Sequence, residues 1–274
     1  MIQLSAQLIL EELISSDLFS DNCQLKEIKG GAVNKSYQLL DNDRLYFVKS
    51  FTSDEMVNID RTEQFTQQQH LALLGMCATP HYLSSTQSFQ VDTWSEGLSL
   101  LDADLTGLQK YRYLAQTLVN IHNIENTAAL ALPSLDLPTK WQEYLSLSQM
   151  NLTATESNQL RQWAKVWSDT DPADLRVCHN DLSLQHVLVG ESRIVFDWEY
   201  AAYSNRYFDI ASSLLINRAT LECEQCLLLE YSKITGIDLA KIIQQVTVMK
   251  SLAALTNKLW FKAADKQLEN KNGS

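Results

Sequence analysis

Apolar positions along this chain recur with two different periods, one suited to helices and one to strands. Leu4, Leu8, Leu10 and Ile14 fall at near-helical spacing and predict a short amphipathic helix over residues 4–14. Runs suited to strands follow at Gln24–Lys29, Ser36–Leu40 and Leu45–Ser50, the last two separated by the polar turn Asp41-Asn-Asp-Arg44, so an antiparallel meander is expected. From about Asp54 to Leu74, Met56, Ile59, Phe65, His70, Leu71 and Leu74 recur among Glu and Gln, as in a surface-packed helix that stops at Gly75. Tyr82-Leu83 and Phe89-Gln-Val91 each suit a short strand.

Beyond Trp94-Ser-Glu-Gly97 the period becomes helical, over 107–124, 139–149 and 155–168. Two apolar runs, Val187-Leu-Val189 and Arg193-Ile-Val-Phe196, then flank Gly190-Glu-Ser192 as a tight hairpin. Helices are expected again at about 206–218, 222–234 and 238–265, with the tail from Glu269 fraying. The pattern divides the chain into a smaller lobe, residues 1–94, of sheet and helix, and a larger, mainly helical lobe, residues 95–274. The fold class is α+β.

Composition narrows the partners. The 274 residues, 45% of them hydrophobic, suffice for a substantial core. Lys and Arg number 22 against 33 Asp and Glu, a net charge of −11, which argues against nucleic acid or an anionic membrane as the main partner and leaves room for a cationic small molecule. No apolar run reaches membrane-spanning length, and the N-terminus lacks the basic flank of a signal peptide, so the expected compartment is the cytoplasm. Five scattered cysteines are expected as free thiols. Cys223-Glu-Gln-Cys226 has the spacing of half a zinc site, but it has no second pair and lies on an expected helix.

The densest chemistry is His179-Asn-Asp181-Leu-Ser-Leu-Gln-His186, followed by Phe196-Asp197-Trp198-Glu199-Tyr200-Ala201. Because a hairpin returns its strands to adjacent positions, Asp181 before it and Asp197 after it are placed to converge, with His186 at the entrance to the first strand. A base and a metal ligand could both be built there. Taken one at a time, the same residues also suit turn caps, helix caps and packed core histidines.

His-Asn-Asp-Leu, a ligand position five residues after the Asp, and Phe-Asp-Trp-Glu-Tyr-Ala together resemble the catalytic core of the aminoglycoside phosphotransferase and choline kinase superfamily, relatives of the protein kinases. The choline, ethanolamine and thiamine kinase branch is the nearest in pattern. The resemblance implies a two-lobed protein-kinase-like fold, with Asp181 orienting or deprotonating the acceptor hydroxyl and Asp197 holding Mg2+ on the phosphates of ATP. By the same resemblance His179 supports the catalytic loop, and Asp209, in Asn205-Arg-Tyr-Phe-Asp209, braces it. Upstream, Gly30-Gly31-Ala-Val-Asn-Lys-Ser36 resembles the phosphate loop, with Gly30, Gly31 and Ser36 facing the phosphates. Lys49 resembles the strand lysine that pairs with the phosphates, and Glu63 the helix glutamate that orients it, with Glu55 on the same expected helix. Trp94-Ser-Glu-Gly97 resembles the inter-lobe segment.

One position departs from the family pattern. His186 stands where the family places an Asn as second metal ligand, and imidazole suits Mn2+ or Zn2+ better than Mg2+. The expected activity is ATP-dependent phosphoryl transfer to a cationic alcohol such as choline, ethanolamine, thiamine or an amino sugar. Trp198 and Glu199 would offer the acceptor a ring face and a carboxylate. Two alternatives stay open: a nucleotide-binding pseudokinase with His186 as its lesion, and a metal-dependent phosphoesterase built on His179, Asp181, His186 and Asp197.

Overall fold

Alternation along β3 decides which side of the first sheet faces the core. A computed structural model describes residues 5–28, 34–51, 59–190 and 194–272. Helix α1 (Ala6–Ser15) is followed by β1 (Gln24–Ile28), β2 (Lys35–Asp41), β3 (Arg44–Ser50), α2 (Arg61–Leu73), β4 (Pro80–Leu83) and β5 (Phe89–Thr93). The strands form one antiparallel sheet in the order β1-β2-β3-β5-β4. Val48 pairs with Tyr37 and Val91 on one face, and these join Ile9, Leu13, Leu39 and Phe89 in a core closed by α1. Lys49, one residue on, must point to the other face, where its register partners are Ser36 and Gln90. On that face Gln90 donates to Gln68 of α2 and to Asp92, at 2.7 and 2.6 Å. Asp60 caps α2 by accepting from the backbone N–H groups of Thr62 and Glu63.

The remaining elements are β6 (Leu98–Ser99), α3 (Gly107–His122), α4 (Leu137–Ser148), α5 (Ala154–Ser168), β7 (Leu175–Cys178), β8 (Leu188–Val189), β9 (Ala202–Asn205), α6 (Arg206–Ile216), α7 (Leu221–Thr235) and α8 (Leu239–Asn272). Thr106 and Thr153 form capping boxes with Gln109 and Glu156, which is why α3 and α5 begin where the apolar period does. Helix α8 continues through the tail expected to fray, as far as Asn272. Cys223 and Cys226 both lie on α7, and their thiols are free.

The chain divides into two compact units, residues 1–97 with 188–199, and residues 98–187 with 200–274. The expected boundary after residue 94 therefore needs an addition, because the chain enters the first unit twice. The reason is local pairing: Val195 N–H donates to the Met76 carbonyl at 2.8 Å, and Leu188 N–H to the Ile194 carbonyl at 2.8 Å. The turn residues Glu191, Ser192 and Arg193 lie outside the described residues, as does the expected helix start at 54–58.

Candidate active site

In the first unit the site is built around one lysine. Lys49 Nζ lies 2.5 Å from Asp197 Oδ1 and 3.4 Å from Glu199 Oε2, with 18% of the side chain exposed. Burial works against the lysine charge, but the two carboxylates outweigh it and hold the pKa above the ordinary lysine value. Glu199 is shared, since Arg61 Nη1 of α2 also stands 3.4 Å from Oε2. Arg61 is only 2% exposed, and its guanidinium stacks 3.8 Å over the Phe51 ring, which fixes it laterally. Asp197 takes a left-handed backbone, φ 65°, an uncommon conformation that sets its carboxylate at the turn after the second apolar run.

This arrangement revises two expected roles. Glu63 lies on the exposed face of α2 and accepts from Gln67 at 3.1 Å, while among the described residues the carboxylates on Lys49 are Asp197 and Glu199. At about 100° of rotation per residue, Glu63 lies about 200° round α2 from Arg61, so the two occupy opposite faces and Arg61 takes the buried one. Trp198, expected to offer a ring face, is 5% exposed and donates its indole N–H to the Val195 carbonyl at 2.9 Å, so it packs inside the turn. Glu199 in turn is engaged with two cations. Ser36 is buried on β2, directly across from Lys49. Gly30 and Gly31 lie outside the described residues.

The second unit holds the loop with Asp181. Its frame is Asp209 of α6, fully buried, whose carboxylate accepts from His179 N–H at 3.1 Å, Asn180 N–H at 2.7 Å and His122 Nε2 at 3.0 Å. Burial pushes the Asp209 carboxyl up, but the His122 hydrogen bond, with its other partners, holds it below the usual carboxylate value. Burial also keeps His122 neutral; its Nε2–H donates to Asp209 while Nδ1 accepts from the Tyr231 hydroxyl at 2.7 Å. Asn180 adopts φ 63° and donates from Nδ2 to the Tyr200 carbonyl at 2.9 Å, so both ends of the loop are tied. Sequence reading therefore placed His179 and Asp209 together, and the structure adds His122 and Asn180.

His186 and Asp181 also meet. His186 Nδ1 lies 2.9 Å from the Asp181 carbonyl oxygen and 3.5 Å from the Ser183 backbone nitrogen, so the ring is anchored to the loop that carries Asp181. The His179 and His186 rings stack with centroids 5.8 Å apart. Asp197 and His186 belong to different units. As donors for a divalent ion they differ: a part-exposed carboxylate suits Mg2+, and an imidazole nitrogen suits Mn2+ or Zn2+. Another trio, His122, Cys178 and Asp209, brings its ligand atoms within 4.8 Å of one another, but both imidazole nitrogens and the carboxylate are already hydrogen-bonded, and burial holds the thiol protonated. That trio braces the loop.

One aromatic pair carries no signal in the sequence. Trp260 of α8 donates from Nε1 to the Tyr200 hydroxyl at 3.2 Å, and Tyr200 is the residue whose carbonyl holds Asn180, next to Asp181. No local signal joins residues 60 positions apart.

A sheet-and-helix unit carrying a carboxylate-bound strand lysine, with a mainly helical unit carrying a braced His-Asn-Asp loop, defines a kinase-like α+β phosphotransferase fold. The chain belongs to the phosphotransferase enzyme family, whose sequence pattern it matches over residues 24–226. Choline kinase LicA from Streptococcus pneumoniae superposes with a TM-score of 0.74 at 23% identity, covering 95% of this chain and 91% of that one. The ethanolamine kinase of Plasmodium vivax gives 0.72 at 14% identity, covering 92% and 80%. Macrolide 2'-phosphotransferase MphH from Brachybacterium faecium gives 0.64 at 17% identity, covering 96% and 95%. No curated protein sequence matches the chain. Among the described residues no helix is long and apolar enough to cross a membrane.

Proposed function

We propose that the protein transfers the γ-phosphoryl group of ATP to the hydroxyl of a small cationic alcohol of the choline, ethanolamine, thiamine or amino-sugar type. The observation that carries this reading is Lys49 held between Asp197 and Glu199, a cation aligned by carboxylates on the polar face of a sheet. When ATP binds, the lysine exchanges part of that pairing for phosphate oxygens, with Glu199 and Arg61 keeping its direction. Asp197 would offer a divalent ion its carboxylate and His186 its imidazole, and the ion's charge would neutralise phosphate oxygens.

Asp181 aligns the acceptor. The alcohol oxygen attacks the γ phosphorus, its proton passes to the Asp181 carboxylate, and the bond from that phosphorus to the bridging oxygen breaks to release ADP. The loop supplies rigidity for this step, because Asp209 fixes the two backbone N–H groups preceding Asp181. Tyr200 and Trp260 take over the aromatic role first expected of Trp198, since a cationic head attracted by a chain of net charge −11 finds ring faces beside the catalytic loop. The known activities of the structural neighbours, choline and ethanolamine kinases among them, agree with such an acceptor.

The test is ADP release from ATP with choline, ethanolamine, thiamine and an amino sugar, each with Mg2+ or Mn2+. One cationic alcohol should give saturable turnover that a neutral analogue does not, and Trp260→Ala should raise its KM about tenfold with little change in kcat. His186→Asn should raise the Mg2+ rate relative to the Mn2+ rate. ATP binding without turnover on any acceptor or metal would replace this reading with the nucleotide-binding pseudokinase.

A further inference from the structure

The second unit carries an open cleft of about 480 Å3 whose polar lining includes Asn123, Asp174, Arg176, Arg206, Thr235 and Lys241. Three cations face one carboxylate there, in a protein whose net charge is −11. Asp174 is divided between two of them, 3.1 Å from Lys241 Nζ and 3.8 Å from Arg206 Nε. An excess of two positive charges remains. The C-terminal ends of α3 and α7 reach the same cleft through Asn123 and Thr235, and about half a negative charge from each offsets only part of that excess.

Arg206 is the strongest sign of a ligand. Its side chain is 8% exposed and Nη2 donates to the Ala173 carbonyl at 3.3 Å, yet buried Nε makes no hydrogen bond. A buried guanidinium N–H without an acceptor is unfavourable, and an oxyanion in the cleft removes the deficit. The cations come from three separate elements, β7, α6 and α8, that converge on the cleft. Two planar guanidinium groups and an ammonium together suit an anion with three or more acceptor oxygens.

We propose that this cleft binds a phosphate group, as free phosphate or as a small phosphomonoester. It is separate from the site of transfer, but not remote in the chain: Arg176 lies on the strand that runs into His179, and Arg206 opens the helix that carries Asp209. Binding does not depend on the transfer reaction.

Calorimetric titration of the full chain with inorganic phosphate, and separately with glycerol 3-phosphate, tests the proposal. Since the ATP site also attracts phosphate, both titrations are repeated in Lys49→Ala. Saturable binding should persist in Lys49→Ala and weaken at least tenfold in Lys241→Ala and in Arg176→Gln, with unchanged circular dichroism. A tighter ester assigns the site to phosphomonoesters, and equal or tighter free phosphate assigns it to phosphate itself. Absence of saturable binding at millimolar ligand, its loss in Lys49→Ala, or affinity within twofold in both charge variants would overturn the proposal.

Discussion

Lys49 and Asp209 are the central charges of the two units, and they are held in opposite ways. Lys49 has two carboxylate partners, is part-exposed, and shares Glu199 with a second cation. Asp209 is sealed from solvent and answered by three donors. Part-satisfied, accessible charge can exchange partners when a ligand arrives, whereas a closed network cannot without unfolding its surroundings. Under the proposed function, the difference would suit the first unit to ligand handling and the second to alignment of the reacting hydroxyl.

The sharpest way to break this contrast is to remove the sealed charge. Asp209→Ala leaves His122 and two backbone N–H groups without an acceptor, and should cost about 3–5 kcal/mol of stability by chemical denaturation. A loss below 1 kcal/mol would mean the network is not closed.

Acid should affect the two units in opposite directions. Burial lowers the pKa of His122 below its ordinary 6.5, so its contribution to stability is complete above that value and declines as pH falls through the folded pKa. Asp92 on β5 behaves inversely: burial pushes its carboxyl from 3.8 to about 6, so its contribution is complete below 3.8 and is lost as pH rises through about 6. Amide exchange from pH 7 to 5, corrected for intrinsic rates, should show the sheet gaining protection while α3 and α6 lose it. Asp92→Asn should abolish the gain, worth about 1.4 kcal/mol between pH 7 and 5.

Smaller effects separate two glutamates. Glu199→Gln should lower kcat/KM about tenfold, because Lys49 and Arg61 lose a shared carboxylate. Glu63→Gln should change it less than twofold, since that side chain is exposed and bonded to Gln67. Equal effects would return the orienting role to α2.

What the sequence made legible follows from range. Helices α3 to α8 carry their own period and caps, and Lys49, Asp181 and Asp197 stand in a recognisable order. The strand pair β7 and β9 escaped notice because each has four residues, Arg176 and Asn205 interrupt any apolar alternation, and the partners lie far apart in sequence. Glu199 was assigned to the acceptor because its contacts with Lys49 and Arg61 span 150 and 138 residues, beyond any local pattern. Trp198 was misassigned for a related reason: an aromatic beside a metal aspartate looks exposed until its indole N–H is found on the Val195 carbonyl.

The central claim is that Asp181 handles the acceptor proton during phosphoryl transfer. Its most direct test follows phosphate from ATP onto the acceptor hydroxyl by 31P NMR, in wild type and in Asp181→Asn at matched nucleotide affinity. Phosphorylated alcohol should form in the wild type, with kcat reduced about 10²–10⁴-fold in the variant. An unchanged transfer rate in Asp181→Asn would contradict the account.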